Sequence, residues 1–266
     1  MEEKVLTSFT DAIKLAIAAL QDLEHPSAAF NRYFSPGQEA QVKAVFTTFF
    51  SEPNSGHPGN PVFSNGAISI GPQSTQVDVA QCSSPKDNSG SKPLNGYFLQ
   101  KSTVALQAES TWPQNYGIAV LCPGSMEKKD LPSEVTAGDS GDGNGGNGKE
   151  HANHITCCML DDWSSNVMLP TGGVVLHEFL HWEYLTSGAL GLNDQREPQS
   201  IRDWNYPPEP NVSPPDGYGP NNCALLRARG DSAPLLNADS YIWYALEAFW
   251  RKACPGKPFE LAAKPS

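Results

Sequence analysis

One short segment carries the clearest chemistry of the chain. His177-Glu178-Phe179-Leu180-His181 has the pattern HExxH, with the two histidines four positions apart. On an α-helix, positions i and i+4 lie one turn apart on the same face, so both imidazoles can direct a ring nitrogen at one metal ion. Glu178 lies beside them and can take a proton from water. The spacing therefore predicts that His177 and His181 are metal ligands and that Glu178 is a general base.

The segments after this helix distinguish between groups of HExxH proteins. The extended pattern HExxHxxGxxH is absent, because Tyr184 and Ser187 stand where its glycine and last histidine would be. Instead, the chain continues with Ile201-Arg202-Asp203-Trp204, then Tyr218-Gly219, then Asn237-Ala238-Asp239. With these motifs in this order, the sequence resembles the aspzincin metalloendopeptidases, the deuterolysin-like family of secreted fungal enzymes. The resemblance covers roughly residues 115 to 252.

The resemblance implies an aspartate as the third zinc ligand, and the chain departs from the family at this point. The family places the aspartate three residues before the tyrosine of Tyr-Gly, where this chain has Pro215. Asp203 can serve if residues 205–215 form a loop between the ligand and Tyr218, whereas Asp216 is one residue out of register. We favour Asp203, because a long polar insertion after a ligand is easily looped out. Asp216 and, less favoured, Asp194 stay open as alternatives.

Two further residues receive roles from the same resemblance. Tyr218 matches the family tyrosine that hydrogen-bonds the oxyanion of the transition state, a role open to a phenol near a metal. Asp239 matches the aspartate of the Asn-Ala-Asp motif. We expect it to accept the outer N–H of a ligating histidine or to shape a pocket for a basic side chain. The remaining histidines have no ligand spacing to the motif and are expected to be ordinary surface or loop residues; they are His25, His57, His151 and His154.

Composition narrows the class of partner. The chain has 266 residues, with 18 Lys and Arg against 29 Asp and Glu, and a formal net charge of −11. This balance argues against a basic face that tracks phosphates. No segment approaches the roughly 20 apolar residues of a membrane span. We therefore expect no nucleic acid or membrane partner. The family resemblance implies a polypeptide substrate, and we expect a monomer.

Six cysteines indicate an oxidising compartment. None has the CxxC spacing of a metal site or redox motif, so we expect all six to form disulfides. Cys223 is expected to pair with Cys254, because both flank the last helix. The acidic start without a leader pattern fits either a cytosolic protein or a mature domain. The cysteines, the sequon at Asn211 and the frequent glycine and proline favour a mature secreted protein. The cysteines are Cys82, Cys122, Cys157, Cys158, Cys223 and Cys254.

Hydrophobic periodicity predicts the elements that must hold the motif. These patterns predict an α+β fold in which a helical N-terminal part (1–55) precedes a small twisted sheet. The family resemblance implies that residues 1–266 form one zincin-like peptidase domain. The HExxH helix is predicted over Val174–Ser187, closed by Gly188, and a C-terminal helix over Ala238–Lys252, with Asn237 as its N-cap. Residues 134–150, rich in glycine, are expected to be a flexible loop.

These expectations combine into one functional hypothesis. The sequence favours a secreted zinc metalloendopeptidase with one Zn²⁺ per chain, which hydrolyses peptide bonds through activated water. The alternative is a non-catalytic zinc-binding secreted protein, a zincophore or antigen on the same scaffold. Glu178 argues against that alternative, because zinc storage has no use for a general base. A purely structural extracellular protein with a chance motif is a weaker third hypothesis.

Overall fold

Helices form most of the described structure. The computed structural model describes residues 2–49, 68–72, 96–100, 117–132, 153–191, 199–204, 217–229 and 232–261. The glycine-rich segment 134–150 and the sequon at Asn211 lie outside these residues. No helix within the described ranges is long and apolar enough to cross a membrane. The α-helices are α1 (Glu2–Asp22), α2 (Ala28–Tyr33), α3 (Glu39–Thr48), α4 (Pro123–Met126), α5 (Thr171–Leu180), α6 (Glu183–Leu190), α7 (Pro220–Ala228) and α8 (Ala238–Ala253).

Three short strands form a sheet in the order β1-β3-β2. They are β1 (Ile68–Pro72), β2 (Gly96–Gln100) and β3 (Gly117–Leu121). The central strand β3 pairs in parallel with β1 and antiparallel with β2. Ala119 and Leu121 of β3 are buried in the core. The fold is therefore rich in α-helix, with a small mixed sheet beside the helices.

Helix α5, which carries the first four residues of the HExxH motif, lies at the centre of the molecule. It packs against α1, α8, β2 and β3, and its residues from Thr171 to Leu176 are all buried. Gly172 lets α1 approach closely, since a Cβ at this position would lie 2.5 Å from Cβ of Asp11 and 2.6 Å from the carbonyl oxygen of Ser8. The motif is thus held on a helix whose neighbours enclose it.

The HExxH helix is shorter than the sequence predicts. It ends at Leu180, and His181 occupies the C-cap position. Trp182 is only 1% exposed and donates its N–H to the carbonyl of Phe179 at 3.0 Å, a tightened turn after which α6 begins a new helix. The expected continuous helix over Val174–Ser187 is therefore wrong, because burial of the Trp182 side chain turns the chain. Gly191, with φ of 77°, follows α6 as its terminating glycine in place of Gly188.

The C-terminal helix α8 forms one wall of the core. Its tyrosines face aromatic side chains of α2, α3 and the turn between them, with ring centroids 5.0 Å apart for Phe34–Tyr241 and 5.6 Å apart for Phe30–Tyr244. Edge-to-face pairs of this kind stabilise beyond their buried area. Asn237 precedes the helix as expected, but its side chain makes no capping hydrogen bond to the first turn. The side chain is used elsewhere, next to the candidate site.

The cysteine pairing differs from the expectation. Cys254 forms its disulfide with Cys157, and Cys122 is also disulfide-bonded. Cys158 is an exposed thiol, and Cys223 is a buried thiol whose Sγ lies 3.0 Å from the carbonyl of Gly217. The predicted Cys223–Cys254 pair and the pairing of all six cysteines are therefore wrong. The reason is that α7 directs Cys223 into the core beneath Gly217, whereas the end of α8 meets the turn at Cys157.

Candidate metal centre

The side chains of His177, His181 and Asp203 converge on one point. Nε2 of His177 lies 3.2 Å from Nε2 of His181 and 3.0 Å from Oδ1 of Asp203. Nε2 of His181 lies 3.3 Å from the same oxygen. Together the three residues offer one ligand atom each in a group that could hold a metal ion. Among the described residues, the favoured third residue Asp203 is therefore the aspartate that lies beside both histidines.

Two backbone connections bring Asp203 to the histidines. The N–H of Arg202 donates to the carbonyl of Leu236 at 2.9 Å, and the N–H of Ala238 donates to the carbonyl of Arg202 at 3.0 Å. This short bridge fixes the segment 199–204 to the start of α8. In addition, Nδ1 of His181 lies 3.2 Å from the carbonyl of Ile201, which orients the imidazole. The outer nitrogen of the ring is thus engaged while Nε2 faces the centre.

Asp239 contacts the outer ring nitrogen of His177. Its Oδ1 lies 2.8 Å from Nδ1 of His177, on the side of the ring away from the centre. Its Oδ2 accepts hydrogen bonds from the N–H of Gly219 at 2.7 Å and from Nε1 of Trp243 at 3.2 Å. Both carboxylate oxygens are therefore occupied. A carboxylate in this position fixes the ring orientation of a metal-binding histidine and makes it a stronger ligand.

Tyr218 lies against the same cluster. Its ring stacks on the imidazole of His177, with centroids 6.1 Å apart and an interplanar angle of 19°. Its hydroxyl hydrogen-bonds to Asp203. Burial raises the pKa of Tyr218, and the negative charges of Asp203 and Asp239 raise that pKa further. The phenol therefore stays protonated and able to donate a hydrogen bond.

Glu178 occupies the buried side of the motif. It follows His177 directly on α5 and is 4% exposed. Its negative charge also contributes to the raised pKa of Tyr218, so the carboxylate lies within electrostatic range of that hydroxyl. The Glu178 carboxylate, which can accept a proton, and the Tyr218 hydroxyl, which can donate a hydrogen bond, therefore lie in the same part of the candidate site.

The electrostatics of the centre favour a bound cation. Burial lowers the pKa of His177, but hydrogen bonds to Asp203 and Asp239 outweigh this effect and raise the pKa well above its usual value. Burial also opposes ionisation of Asp203, yet its hydrogen bonds to His177 and His181 hold the pKa of this carboxyl far below its usual range. Carboxylates on two sides of the His177 imidazole thus stabilise positive charge.

The spacing of the three donors matches what a small divalent ion requires. Metal–ligand distances of about 2.0 to 2.1 Å in a tetrahedral arrangement place neighbouring donor atoms about 3.3 Å apart. The observed separations of 3.2, 3.0 and 3.3 Å fall near this value. The donor set therefore fits a metal ion without rearrangement of the side chains.

The other expected residues have different outcomes. Asp194 and Asp216, the alternatives for the third ligand, lie outside the described residues, as do His57 and His151. His154 pairs through Nδ1 with the carbonyl of Leu131 at 2.8 Å, away from the centre. Sequence reasoning did not assign a role at the site to Trp243 or to the side chain of Asn237. The sequence signals for them were the place of Asn237 in the Asn-Ala-Asp motif and the place of Trp243 one helical turn after Asp239.

Comparison with known proteins adds no relative. No protein-family model, no curated protein and no solved structure matches the chain. Function is therefore argued from the geometry of the centre and from the motifs themselves.

Proposed function

We propose that this protein is a zinc-dependent metalloendopeptidase of the aspzincin type, built on an α+β zincin-like fold. The observation that carries the proposal is the convergence of His177 Nε2, His181 Nε2 and Asp203 Oδ1 within 3.0–3.3 Å of one another. Glu178 lies next to this triad in sequence, as hydrolytic HExxH centres require. A site for metal storage alone needs the triad but not the glutamate.

Zinc is the ion that the donor set favours. Two imidazoles and one carboxylate form a typical three-ligand set for catalytic zinc, which leaves a fourth position for water or substrate. When bound there, zinc supplies Lewis-acid polarisation of a carbonyl oxygen and makes a water molecule more acidic. We assign one zinc ion per chain to His177, His181 and Asp203.

Glu178 acts as the general base in this proposal. Its carboxylate takes a proton from the attacking water and passes that proton to the amine that leaves when the peptide bond breaks. Burial beside apolar residues of α5 limits competing hydration of the carboxylate. The water oxygen becomes part of the new carboxylate product, so atoms and charge balance.

Tyr218 stabilises the charge that develops on the substrate. Its protonated hydroxyl donates to Asp203 in the resting site. In the transition state it donates instead to the carbonyl oxygen of the scissile bond, where negative charge builds up. The stacked imidazole of His177 holds the ring in place for this contact.

We propose that a polypeptide substrate binds beside α5. Strand β2 contacts α5 and lies at one edge of the described three-stranded sheet. An extended peptide can add to such an edge through main-chain hydrogen bonds. The Cys157–Cys254 disulfide supports a secreted protein, because disulfides persist in oxidising compartments. We further propose that the enzyme acts as a monomer.

Replacement of the general base tests the proposal. Glu178→Gln keeps the shape of the side chain but cannot accept the proton, so we expect zinc binding to persist and casein hydrolysis to fall at least about a hundredfold. Glu127→Gln, at an exposed carboxylate in the turn after α4, is the matched control and should retain wild-type activity.

Two results would contradict the enzyme assignment. Zinc-loaded wild-type protein that hydrolyses neither casein nor a panel of unfolded proteins would favour a non-catalytic zinc-binding protein. Equal hydrolysis by wild type and Glu178→Gln would remove Glu178 from the reaction.

A further inference from the structure

The side chain of Asn237 links Trp204, which follows Asp203, to Gly217, which precedes Tyr218. Asn237, which is 1% exposed, accepts a hydrogen bond at Oδ1 from the N–H of Trp204 at 3.2 Å and donates from Nδ2 to the carbonyl of Gly217 at 3.0 Å. The N–H of Gly217 also donates directly to the carbonyl of Trp204 at 2.7 Å. Trp204 and Gly217, the described residues on either side of 205–216, are therefore bonded to each other and to Asn237.

Trp204 and Gly217 are direct neighbours in sequence of two residues of the candidate site. Asp203 immediately precedes Trp204, and Tyr218 immediately follows Gly217. Asn237 itself lies two positions before Asp239, the carboxylate that holds His177. A displacement of its amide would therefore be transmitted to the metal aspartate on one side and to the tyrosine on the other.

The contacts of the amide require an asparagine. Oδ1 needs a hydrogen bond from a backbone N–H, while Nδ2 donates both to the carbonyl of Gly217 and to Oγ of Ser240 at 3.0 Å. A carboxylate offers no donor for these two acceptors, and an aliphatic side chain offers neither group. Because this side chain is buried, loss of its oxygen removes the acceptor of the Trp204 N–H, and loss of its nitrogen removes a donor to the Gly217 carbonyl, which also accepts from Sγ of Cys223.

Gly217 is fitted to the same side chain. A Cβ at this position would lie 2.7 Å from Oδ1, 2.9 Å from Cγ and 3.0 Å from Nδ2 of Asn237. Gly217 is not among the residues with positive φ, so its backbone does not itself demand glycine. The absence of a side chain at position 217 is explained by the space that Asn237 fills.

We infer that Asn237 is a positioning residue that sets the location of Asp203 relative to Tyr218. The inference rests on the proposed function, since it assigns the metal to Asp203 and the oxyanion contact to Tyr218. Asn237 hydrogen-bonds to the backbone next to each of these two residues. It acts through the backbone of Trp204 and Gly217, which flank the insertion that separates the two functional residues.

The test compares Asn237→Ala, Gly217→Ala and the double variant with wild type. The readouts are the Kd for Zn²⁺, measured by competition with a chromogenic chelator, and kcat and KM on a peptide substrate. We expect Asn237→Ala to raise the Kd and to lower kcat by about 10- to 100-fold each, with a smaller change in KM, as for other residues that orient metal ligands. Circular dichroism at the assay temperature verifies that each variant is folded.

The double variant makes the test specific. Gly217→Ala should raise the zinc Kd about tenfold in wild type, because the new methyl group displaces the amide, but less than about threefold once Asn237→Ala has removed the obstacle. Val42→Ala, a cavity variant in α3 that supplies no residue to the site, controls for a general loss of stability. Its zinc Kd should stay within about twofold of wild type.

The possible failures are distinct. Wild-type protein that does not bind zinc contradicts the proposed function, and the inference falls with it. Wild-type binding combined with an unchanged zinc Kd and kcat in folded Asn237→Ala contradicts the inference alone. Additive effects of the two substitutions would also contradict it, because residues that do not share a contact do not couple.

Discussion

Asp203 is the residue on which most interactions of the centre meet. Its Oδ1 lies 3.0 Å from Nε2 of His177 and 3.3 Å from Nε2 of His181, and the carboxylate also accepts from the hydroxyl of Tyr218. The hydrogen bonds from the two histidines hold the pKa of this carboxyl far below its usual range, so Asp203 offers a negative charge to a cation at this point. In the proposed mechanism, this one side chain connects metal binding with stabilisation of the transition state.

Removal of this carboxylate should abolish the site. Asp203→Asn leaves two imidazoles as the strong ligands, so we expect the zinc Kd to rise by more than about a hundredfold and hydrolysis to be lost with it. Zinc content after dialysis is the measurement. Asp216→Asn is the control that separates the sequence alternatives, and it should retain zinc. A reversal of these two results would transfer the ligand assignment to Asp216.

Asp239 should act on the metal through His177. Asp239→Asn removes the negative charge beside Nδ1 but keeps an oxygen acceptor, so we expect a zinc Kd about 10- to 100-fold higher than that of wild type. Asp162→Asn, at a carboxylate that is 68% exposed and paired with Lys257, is the matched control. Chelator competition that gives equal affinities for both variants would exclude a supporting role for Asp239.

At the level of elements, α5 is packed between α1 and α8. Helix α8 contributes Asp239 to the candidate site, whereas α1 contributes none of the residues described there. Helix α1 packs against α5 across Gly172, and α8 also packs against α5. The turn at Trp182 then ends α5 just before His181, its C-cap residue. The positions of His177 and His181 thus depend on close packing between helices that are distant in sequence.

The close contact at Gly172 predicts that alanine substitutions at Gly172 and Gly188 have opposite effects on the free energy of unfolding. Gly172→Ala inserts a methyl group 2.5 Å from Cβ of Asp11, so we expect the free energy of unfolding to fall by about 1 to 3 kcal/mol. A Cβ added at Gly188, within α6, would meet no atom within 4 Å. Gly188→Ala should therefore increase stability by about 0.5 to 1 kcal/mol. Urea denaturation measures both, and equal changes would refute the packing argument.

The parts of the site that depend on local periodicity can be predicted from the sequence. The spacing of His177 and His181 needs only one helical turn, and both histidines lie where that turn puts them. The break at Trp182 cannot be predicted in this way, because the apolar pattern continues through it and only tertiary burial turns the chain. The contact of Asn237 with Trp204 and Gly217 joins distant segments, which no periodicity encodes.

At the scale of the whole molecule, one disulfide joins two cysteines that lie before and after the candidate site in sequence. Cys157 and Cys254 are 97 residues apart in sequence, and all the proposed site residues from His177 to Asp239 lie between them. The sequence does not predict this pairing, because connectivity depends on which segments meet in space, not on the number of cysteines. A covalent connection across so long a segment restricts the unfolded chain strongly.

Removal of the disulfide should destabilise the fold more than removal of the exposed thiol. The double variant Cys157→Ala/Cys254→Ala should lose about 2 to 5 kcal/mol of unfolding free energy. Cys158→Ser, at the neighbouring exposed thiol, should change stability by less than about 0.5 kcal/mol. Urea denaturation without reductant makes the comparison. Identical midpoints for wild type and the double variant would show that this disulfide does not form in solution.

The existence and composition of the metal centre is the central claim, and anomalous diffraction from a zinc-soaked crystal tests it most directly. Data collected above and below the zinc absorption edge identify the element and its position. We predict one anomalous peak per chain, about 2.0 to 2.2 Å from Nε2 of His177, Nε2 of His181 and a carboxylate oxygen of Asp203. A zinc peak completed by another residue, or no peak between the two histidines, would contradict the account.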